Sequence, residues 1–569
     1  MIERTFGWIQ NPSDFSKLKN VVSVFMTDSD IYKDLLNRKI PSLIENEVLK
    51  KKMIEEMKKV PLEMDYRLLK GHGPCNKESR SNVKCSGIIQ AAIPNQKRRE
   101  YSDDWTADGF LRWAISIGLL DYNIDNDTVS ITELGKKYIL ADDKKKENEI
   151  LVTAFLSYPP AVRILNLLES GDILTKFEIG KQLGGLGEAG FTSIPQDLYI
   201  QAIETTNDST KSKIRSNTEG SADKYARMIC SWLLKVGLVQ KVKKEVKTII
   251  GSIEYKTKIG HSYKITLNGL KELKRTKGVS SYKRISKIVY WQMLATKGND
   301  RDYIRNRRGY IIKAINNRYK KIEEIQKYLK KNSIEENIAT INDEIQVLIA
   351  MGLSVKENKK GFIIDDTILK FEIPVTKVSK TNILELKDNT REKLVYLDHR
   401  YLSLFDLAYD DKASRDFEIQ TIDLLINELQ FKGLRLGERR KPDGIISYGV
   451  NGVIIDNKAY SKGYNLPIRQ ADEMIRYIQE NQSRDEKLNP NKWWENFEEE
   501  TSKFNYLFIS SKFISGFKKN LQYIADRTGV NGGAINVENL LCFAEMLKSG
   551  KLEYNDFFNQ YNNDEIIMR

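Results

Sequence analysis

Two aspartates and a lysine lie close together in the segment Lys441-Pro-Asp443-Gly-Ile-Ile-Ser-Tyr-Gly-Val-Asn-Gly-Val-Ile-Ile-Asp456-Asn-Lys458. Hard divalent cations such as Mg2+ take oxygen ligands, usually one or two carboxylates completed by water and substrate phosphate, which Asp443 and Asp456 could supply. Lys458 could then orient an attacking water or help to deprotonate it, while the metal stabilises the charge that builds on a phosphoryl group. Asn451-Gly452 between two apolar runs predicts a hairpin, with Asp443 at the start of one strand and Asp456 and Lys458 near the end of its partner. Residues two apart on a strand share a face, so Asp456 and Lys458 project together while Ile455 and Asn457 point away. Two aspartates and a lysine near a hairpin are, taken alone, more often surface charge. Here the run Val453-Ile-Ile455 is apolar enough to be buried on both faces, and Pro442-Asp443-Gly444 fixes the first carboxylate in a turn.

Such a strand end needs a sheet and helices to hold it. Helical patterns over Arg400–Leu407 and Phe417–Gln430 lead into strands at 445–447 and 453–455. A helix after Pro467, a strand at 506–509 and further helices follow. This alternation predicts an α/β domain over residues 386–569 with a central mixed sheet. Before it, residues 375–385 are polar and lack apolar periodicity, which predicts a linker.

The chain of 569 residues is too long for one core, and its basic part, residues 1–380, carries an internal repeat. An amphipathic helix ends at Gly118-Leu119, at Gly237-Leu238 and at Gly352-Leu353, each time followed by strands or a hairpin, the last turning at Asn358-Lys-Lys-Gly361. Glycine after the last apolar turn is the expected helix stop, and the hairpin forms a wing. Three tandem winged helix-turn-helix subdomains are predicted, over 1–147, 148–283 and 284–374. Residues 1–380 hold 66 basic and 48 acidic side chains, a net of +18, whereas 381–569 hold 26 and 30, a net of −4. A basic part can neutralise phosphates by counterion release and an acidic part binds DNA poorly by itself, so nucleic-acid affinity is expected of the N-terminal part. Winged helices also mediate protein contacts, and many lysine runs are only solvated faces.

No apolar run approaches the roughly 18 residues that span a bilayer, and the N-terminus lacks a basic stretch followed by an apolar core, so a protein of the cytoplasm with no membrane partner is expected. Cys75, Cys85, Cys230 and Cys542 fit neither zinc spacing nor a disulfide framework, and His72, His261 and His399 are scattered. Gly185-Leu-Gly187-Glu-Ala-Gly190 matches a dinucleotide-loop pattern, but a helix-like run precedes it and Pro195 follows, so it reads as a plain loop. Tyr158-Pro159-Pro160 has its aromatic on the wrong side of the prolines for an adenine-methyltransferase motif. Trp493-Trp494 is expected to pack in the C-terminal domain.

The Pro-Asp…Asp-x-Lys arrangement resembles the PD-(D/E)xK nuclease signature, and nearly the whole chain resembles FokI-type (type IIS) restriction endonucleases. The residues that carry this are Thr5-Phe-Gly-Trp-Ile-Gln-Asn-Pro12, Asp108-Gly-Phe-Leu-Arg-Trp113, Ser157-Tyr-Pro-Pro160, Ser221-Ala-Asp-Lys-Tyr-Ala-Arg-Met228, Arg440-Lys-Pro-Asp-Gly444, Lys458-Ala-Tyr460, Gly463-Tyr-Asn-Leu-Pro467 and Gln470-Ala-Asp-Glu-Met474. The resemblance implies a magnesium-dependent enzyme, with Mn2+ as a substitute and no need for ATP or S-adenosylmethionine. It would bind an asymmetric double-stranded DNA site, GGATG in the family's prototype, and cut both strands at a fixed distance downstream. The cation would be held by Asp443, Asp456 and the backbone carbonyl of Asn457.

By the same resemblance, DNA contacts are expected from Gln10, Asn11, Arg80, Gln96 and Trp105, and from Asn217, Glu219, Lys224 and Arg227. Arg and Lys suit guanine acceptors, Gln and Asn suit adenine, and Glu accepts from cytosine. Ser216 and Thr218 depart from the prototype, and Trp105 has an alternative as a core residue. A transient homodimer through the helix after Pro467 is implied, with Asp472 and Arg476 at the contact, although an intrahelical pair is the plain alternative. Ile475 and Gln479 depart from the prototype there. A cognate methyltransferase on a separate chain is the implied companion. The competing readings are a winged-helix regulator whose C-terminal domain only dimerises, and a nuclease of similar core that recognises DNA structure in repair or transposition.

Overall fold

A computed structural model describes residues 5–74, 82–95, 99–204, 218–250, 253–281, 283–437 and 440–568. The repeat is built as helix, glycine stop and hairpin. Helix α1 (Asp104–Ser116) precedes strands β1 (Leu120–Asn123) and β2 (Thr128–Ile131). Helix α2 (Ser221–Lys235) precedes β3 (Val239–Ile250) and β4 (Ile253–Ile265). Helix α3 (Ile338–Ala350) precedes β5 (Val355–Asn358) and β6 (Gly361–Ile364).

Gly118, Gly237 and Gly352 all have positive φ, +74°, +77° and +103°, where a Cβ would be strained, which is why glycine ends each helix. In the first two copies a threonine closes the unit: the Thr132 hydroxyl donates to Leu119 O and accepts from Gly135 N, and Thr266 does the same with Leu238 O and Gly269 N. Trp113 and Trp232 stand five residues before their glycines. They are fully buried and stack at 5.0 Å, so the same position of two repeats forms the seam between them. The third copy has Val347 there and lacks the threonine cap. One continuous apolar core runs through all three units, from Phe6 to Leu384.

The chain from 375 to 381 carries no helix or strand, and helix α4 (Asn382–Lys393) starts inside the stretch read as linker. Thr381 explains the early start: its hydroxyl caps Leu384 N, and Asp300 holds both its amide (2.7 Å) and its hydroxyl (2.6 Å). Helix α4 is packed against the N-terminal part of the chain through buried charge. Arg307 pairs with Glu336 (3.0 Å), with Asp388 of α4 (3.1 Å) and with Glu344, while Arg308 pairs with Glu344 and Glu188. The shared carboxylates hold the Arg307 and Arg308 guanidinium groups above their ordinary pKa although burial opposes this.

His399 joins the same junction, with Nδ1 2.7 Å from Asp343 and Nε2 3.1 Å from Leu394 O. Burial disfavours its charge, but the hydrogen bond and charge of Asp343 outweigh it and raise the pKa above 6.5. A raised folded-state pKa contributes stability that is present in full below the unfolded value and is lost as pH rises through the folded one. The junction is therefore expected to loosen as pH climbs from below 6.5 to above the raised pKa. Limited proteolysis between the domains should speed up over that range in the wild type, and His399→Gln should flatten the dependence.

The C-terminal domain is a six-stranded sheet in the order β7 (Lys432–Arg435), β8 (Gly444–Tyr448), β9 (Asn451–Lys458), β10 (Lys503–Ser510), β11 (Gly532–Asn536), β12 (Asp564–Glu565). The first three strands are antiparallel and the rest run parallel. Both faces are covered, as the unbroken apolar runs require. Ile446, Val453, Ile455, Leu507 and Ile509 meet one apolar layer, which includes residues of helix α5 (Ser414–Asp423). Ile445, Ile454, Tyr506 and Phe508 meet the other, with helices α6 (Ile468–Ser483) and α7 (Phe517–Thr528). Trp493 and Trp494 are buried in this second layer.

Candidate active site and nucleic-acid interface

Strand parity puts the three predicted residues on one side. Asp456 and Lys458 follow Ile454 on the α6 face, and Asp443, just ahead of β8, shares the parity of Ile445 on that face. The antiparallel register brings the two strand ends together: Asp443 N donates to Ile455 O (3.1 Å), and the Asp443 carboxylate accepts from Asn457 N (2.6 Å). Lys458 Nζ lies 2.7 Å from Asp456 Oδ1. The beginning of one strand and the end of the next are thus locked before any ligand arrives.

The electrostatics of this strand end are those of crowded carboxylates. Burial, and then the neighbouring Asp456 and Glu418 charges, push the Asp443 carboxyl well above the ordinary carboxylate range. Burial would lower the Lys458 ammonium, but Asp456 and Asp443 more than reverse that, so the net shift is upward. Among the described residues no three histidine, cysteine or acidic side chains converge into a ready metal cage. A Mg2+ site built on two carboxylates, a carbonyl and waters needs none, and a carboxyl crowded by two like charges in a buried place is the donor set that a divalent cation relieves.

Glu418 was missed by sequence reasoning. It lies on α5, ion-paired to Arg435 Nε at 2.9 Å, with its pKa raised by burial against that pairing and by the Asp456 charge. No local spacing ties it to the motif; only packing of α5 against the sheet brings it there. Asn457 points the other way, and its side-chain Nδ2 and Oδ1 are buried without a hydrogen-bond partner. An orphaned buried amide costs about 1–3 kcal/mol. Asn457→Val is therefore expected to stabilise the domain by about 1 kcal/mol or more, read as a higher denaturant midpoint at unchanged slope.

A second site lies at the seam of the first two repeats, a cleft of about 740 Å³ lined by Gln10, Asn11, Lys176, Glu219, Lys224 and Arg227 among others. Of the expected DNA contacts, five meet here. The N-terminal segment delivers two of them: Phe6, Trp8 and Ile9 are buried, Trp8 Nε1 donates to Met293 O (2.9 Å) and Gly7 N to Ser116 Oγ (2.8 Å), leaving Gln10 and Asn11 at the mouth. Helix α2 delivers Lys224 and Arg227, with Glu219 just ahead of it. Its Asp223 is fully buried, accepts from Gly220 N, Ile194 N and Ser193 Oγ, and is pushed up to about 6 by burial. This anchoring turns Lys224 and Arg227, both half-buried, toward the cleft.

Glu219 lies beneath Arg227 (2.9 Å) and is ion-paired to the buried Lys176, so its carboxylate also holds these cations in place. Trp105, at 50% exposure on α1, is no core residue. Arg80, Gln96, Asn217 and the neighbouring Ser216 lie outside the described residues.

On α6 the intrahelical Asp472–Arg476 pair does not form. Asp472 is exposed and accepts from Tyr523 OH of α7 (3.1 Å), whereas Arg476 leans on Glu473 (3.4 Å) and Glu480 (3.6 Å). The glycine-rich 185–190 stretch is a loop that runs into a single 3-10 turn at Ala189–Phe191, and no single helix is long and apolar enough to cross a membrane among the described residues.

Family models match four consecutive portions of the chain: the FokI recognition domain, subdomain 1, at 4–141; subdomain 2 at 147–281; the D3 domain at 294–360; and the FokI cleavage domain at 380–568. The type II restriction enzyme FokI of Planomicrobium okeanokoites is 42% identical over 99% of both chains. The type II restriction enzyme StsI of Streptococcus sanguinis is 28% identical over 98% of this chain and 96% of that one. A solved structure of restriction endonuclease FokI superposes with a TM-score of 0.91 at 42% identity, covering 99% of this chain and 100% of that one. The structure of FokI bound to DNA gives 0.92 at 41%, covering all of both chains. A carboxylate-and-lysine strand end in one part, a cationic cleft in the other, and likeness along the whole length place the chain in the FokI family of type II restriction enzymes.

Proposed function

We propose that this chain is a type IIS enzyme that binds a short asymmetric double-stranded DNA site, GGATG in the first instance, and hydrolyses phosphodiester bonds at a fixed distance outside it, leaving 5′-phosphates. The observation that carries the reading is the division of labour within one chain. Gln10, Asn11, Lys224 and Arg227 line a cleft in the basic part, and the Asp443, Asp456 and Lys458 cluster sits in a separate acidic domain. The helix–glycine–hairpin units are read as winged helix-turn-helix modules, with α2 presenting its N-terminal half to the major groove.

Asp443, Asp456 and the carbonyl of Asn457 would hold Mg2+, which when bound supplies Lewis-acid stabilisation of phosphoryl charge and a more acidic water. Lys458 donates from its ammonium to the attacking water or a phosphate oxygen, held on line by Asp456. Glu418 adds negative charge behind Asp443 and keeps that carboxylate ready to accept a cation. One such site serves one strand, so cutting a duplex takes two copies, with the exposed Asp472 and the half-buried Arg476 of α6 at the meeting surface. The cytoplasm, alongside a methyltransferase protecting the same sequence, is the setting in which such an enzyme acts.

Selection of duplexes from a random library by the purified chain, with metal chelated, tests the recognition half. Enrichment of GGATG is expected. Enrichment of a different asymmetric site would replace the assigned sequence, and no enrichment of any sequence would contradict the reading.

A further inference from the structure

The hairpin of the second repeat is far longer than the others. Strands β3 and β4 run 12 and 13 residues, against 4 in each strand of the other two hairpins. Its two faces are unlike. The back face carries Val246, Tyr255 and Ile259 against Tyr199 and Ile203 of the helix Gln196–Glu204, and Lys244 braces Glu178 at 2.6 Å. The front face carries Lys241, Lys243, Lys247, Lys256 and Lys258, all exposed, with Glu245, Glu254 and Ile249 between them; Lys256 pairs with Glu245 at 2.9 Å and Lys247 with Glu254 at 3.5 Å, which leaves an excess of three ammonium groups.

A sheet face whose one exposed apolar side chain is Ile249 offers little to an apolar protein partner, and the excess of ammonium groups suits phosphate. The face is also continuous with the candidate DNA cleft, since Lys241, Lys243 and Lys258 at the root of the ribbon line that cleft beside Lys224 and Arg227. From Lys243 to Ile249 the strand advances about 20 Å at ~3.3 Å per residue, the length of about six base pairs at ~3.4 Å each. Every cation on the face is lysine. Lysine is a point charge without the planar fork that reads guanine, so the contacts made here set affinity and register and carry no sequence information.

We propose that the front face of the β3–β4 ribbon is a phosphate-binding arm that holds duplex flanking the recognition sequence, extending the DNA footprint beyond the bases that are read. This rests on the reading of the chain as a DNA-binding enzyme, and the test separates the two.

Wild-type protein, a Lys247→Gln/Lys256→Gln double variant and a Glu245→Gln/Glu254→Gln double variant would be titrated, with metal chelated, against two duplexes: GGATG centred in about 40 bp, and GGATG with flanks trimmed to about 2 bp. Each phosphate contact adds about 0.9 to the log–log salt slope. On the long duplex the lysine variant should lose about 2 from the slope, so that the drop in affinity between ~50 and ~200 mM salt is about tenfold smaller than for the wild type. On the trimmed duplex the two should agree, and the glutamate variant should bind the long duplex more tightly. Unchanged unfolding midpoints certify the fold of both variants. A wild type that shows no preference for a GGATG duplex over a scrambled one would count against the recognition reading. A wild type that shows it, with variants that match it on the long duplex or lose equally on both, would overturn the arm.

Discussion

Asp456→Ala is expected to abolish cutting while the protein still binds its DNA. The carboxylate sits at the end of β9, 5% exposed, where it holds Lys458 at 2.7 Å and, in the proposed reading, would be an oxygen ligand of the cation. Its loss removes an oxygen ligand and the partner that keeps the ammonium aimed. Stabilisation of phosphoryl charge by a correctly held cation is worth several kcal/mol, and at about 1.4 kcal/mol per tenfold the single-turnover rate should fall by about 10³ or more. Binding should change little, because the cleft with Gln10, Asn11 and Arg227 belongs to a different part of the chain. Asp456→Asn keeps the shape of the side chain and should fail equally, which separates lost charge from lost packing. Mobility shift and single-turnover cleavage on the same duplex make the comparison, and retained cutting would mean that the cation site lies elsewhere.

Arg307→Met is expected to carry the largest cost in stability. The guanidinium is 1% exposed and serves Glu336, Glu344 and Asp388, which are themselves buried; Lys380 also reaches Glu336 (2.9 Å) and Asp388 (2.6 Å). Removing one partner of a buried ion network leaves uncompensated charge and typically costs about 3–5 kcal/mol. Asp388 belongs to α4, the first helix of the cleavage domain, so part of that cost falls on the contact between the two halves of the molecule. The expected readout is a lower denaturant midpoint and faster tryptic cleavage near 375–381. A midpoint within about 0.5 kcal/mol of wild type, the range of an ordinary surface change, would show that the network is not the clasp.

The grouping of Asp443, Asp456 and Lys458 was legible because a strand has period two and an Asn-Gly turn fixes register: the three had to share a face once the hairpin was accepted. The glycine stops were legible for an equally local reason, the positive φ at Gly118, Gly237 and Gly352. What escaped depends on residues far apart in the chain. Glu418 reaches the site only through the packing of α5 on the sheet, and Arg307 and Arg308 look like ordinary helix-surface cations until the carboxylates of three other segments close on them. Glu219 was expected as a DNA contact by resemblance, and its place as a buried clamp for Lys176 and Arg227 was not legible. The early start of α4 turned on Asp300 holding Thr381, a contact across 81 residues that a polar, aperiodic stretch gave no sign of.

The claim that one chain reads an address and cuts beside it is tested most directly by mapping the ends it makes. Purified protein, Mg2+ and a plasmid carrying a single GGATG should give discrete ends at one fixed offset on each strand, downstream of the site and bearing 5′-phosphates. Intact plasmid at every protein and Mg2+ concentration, or ends scattered without relation to any sequence, would contradict it.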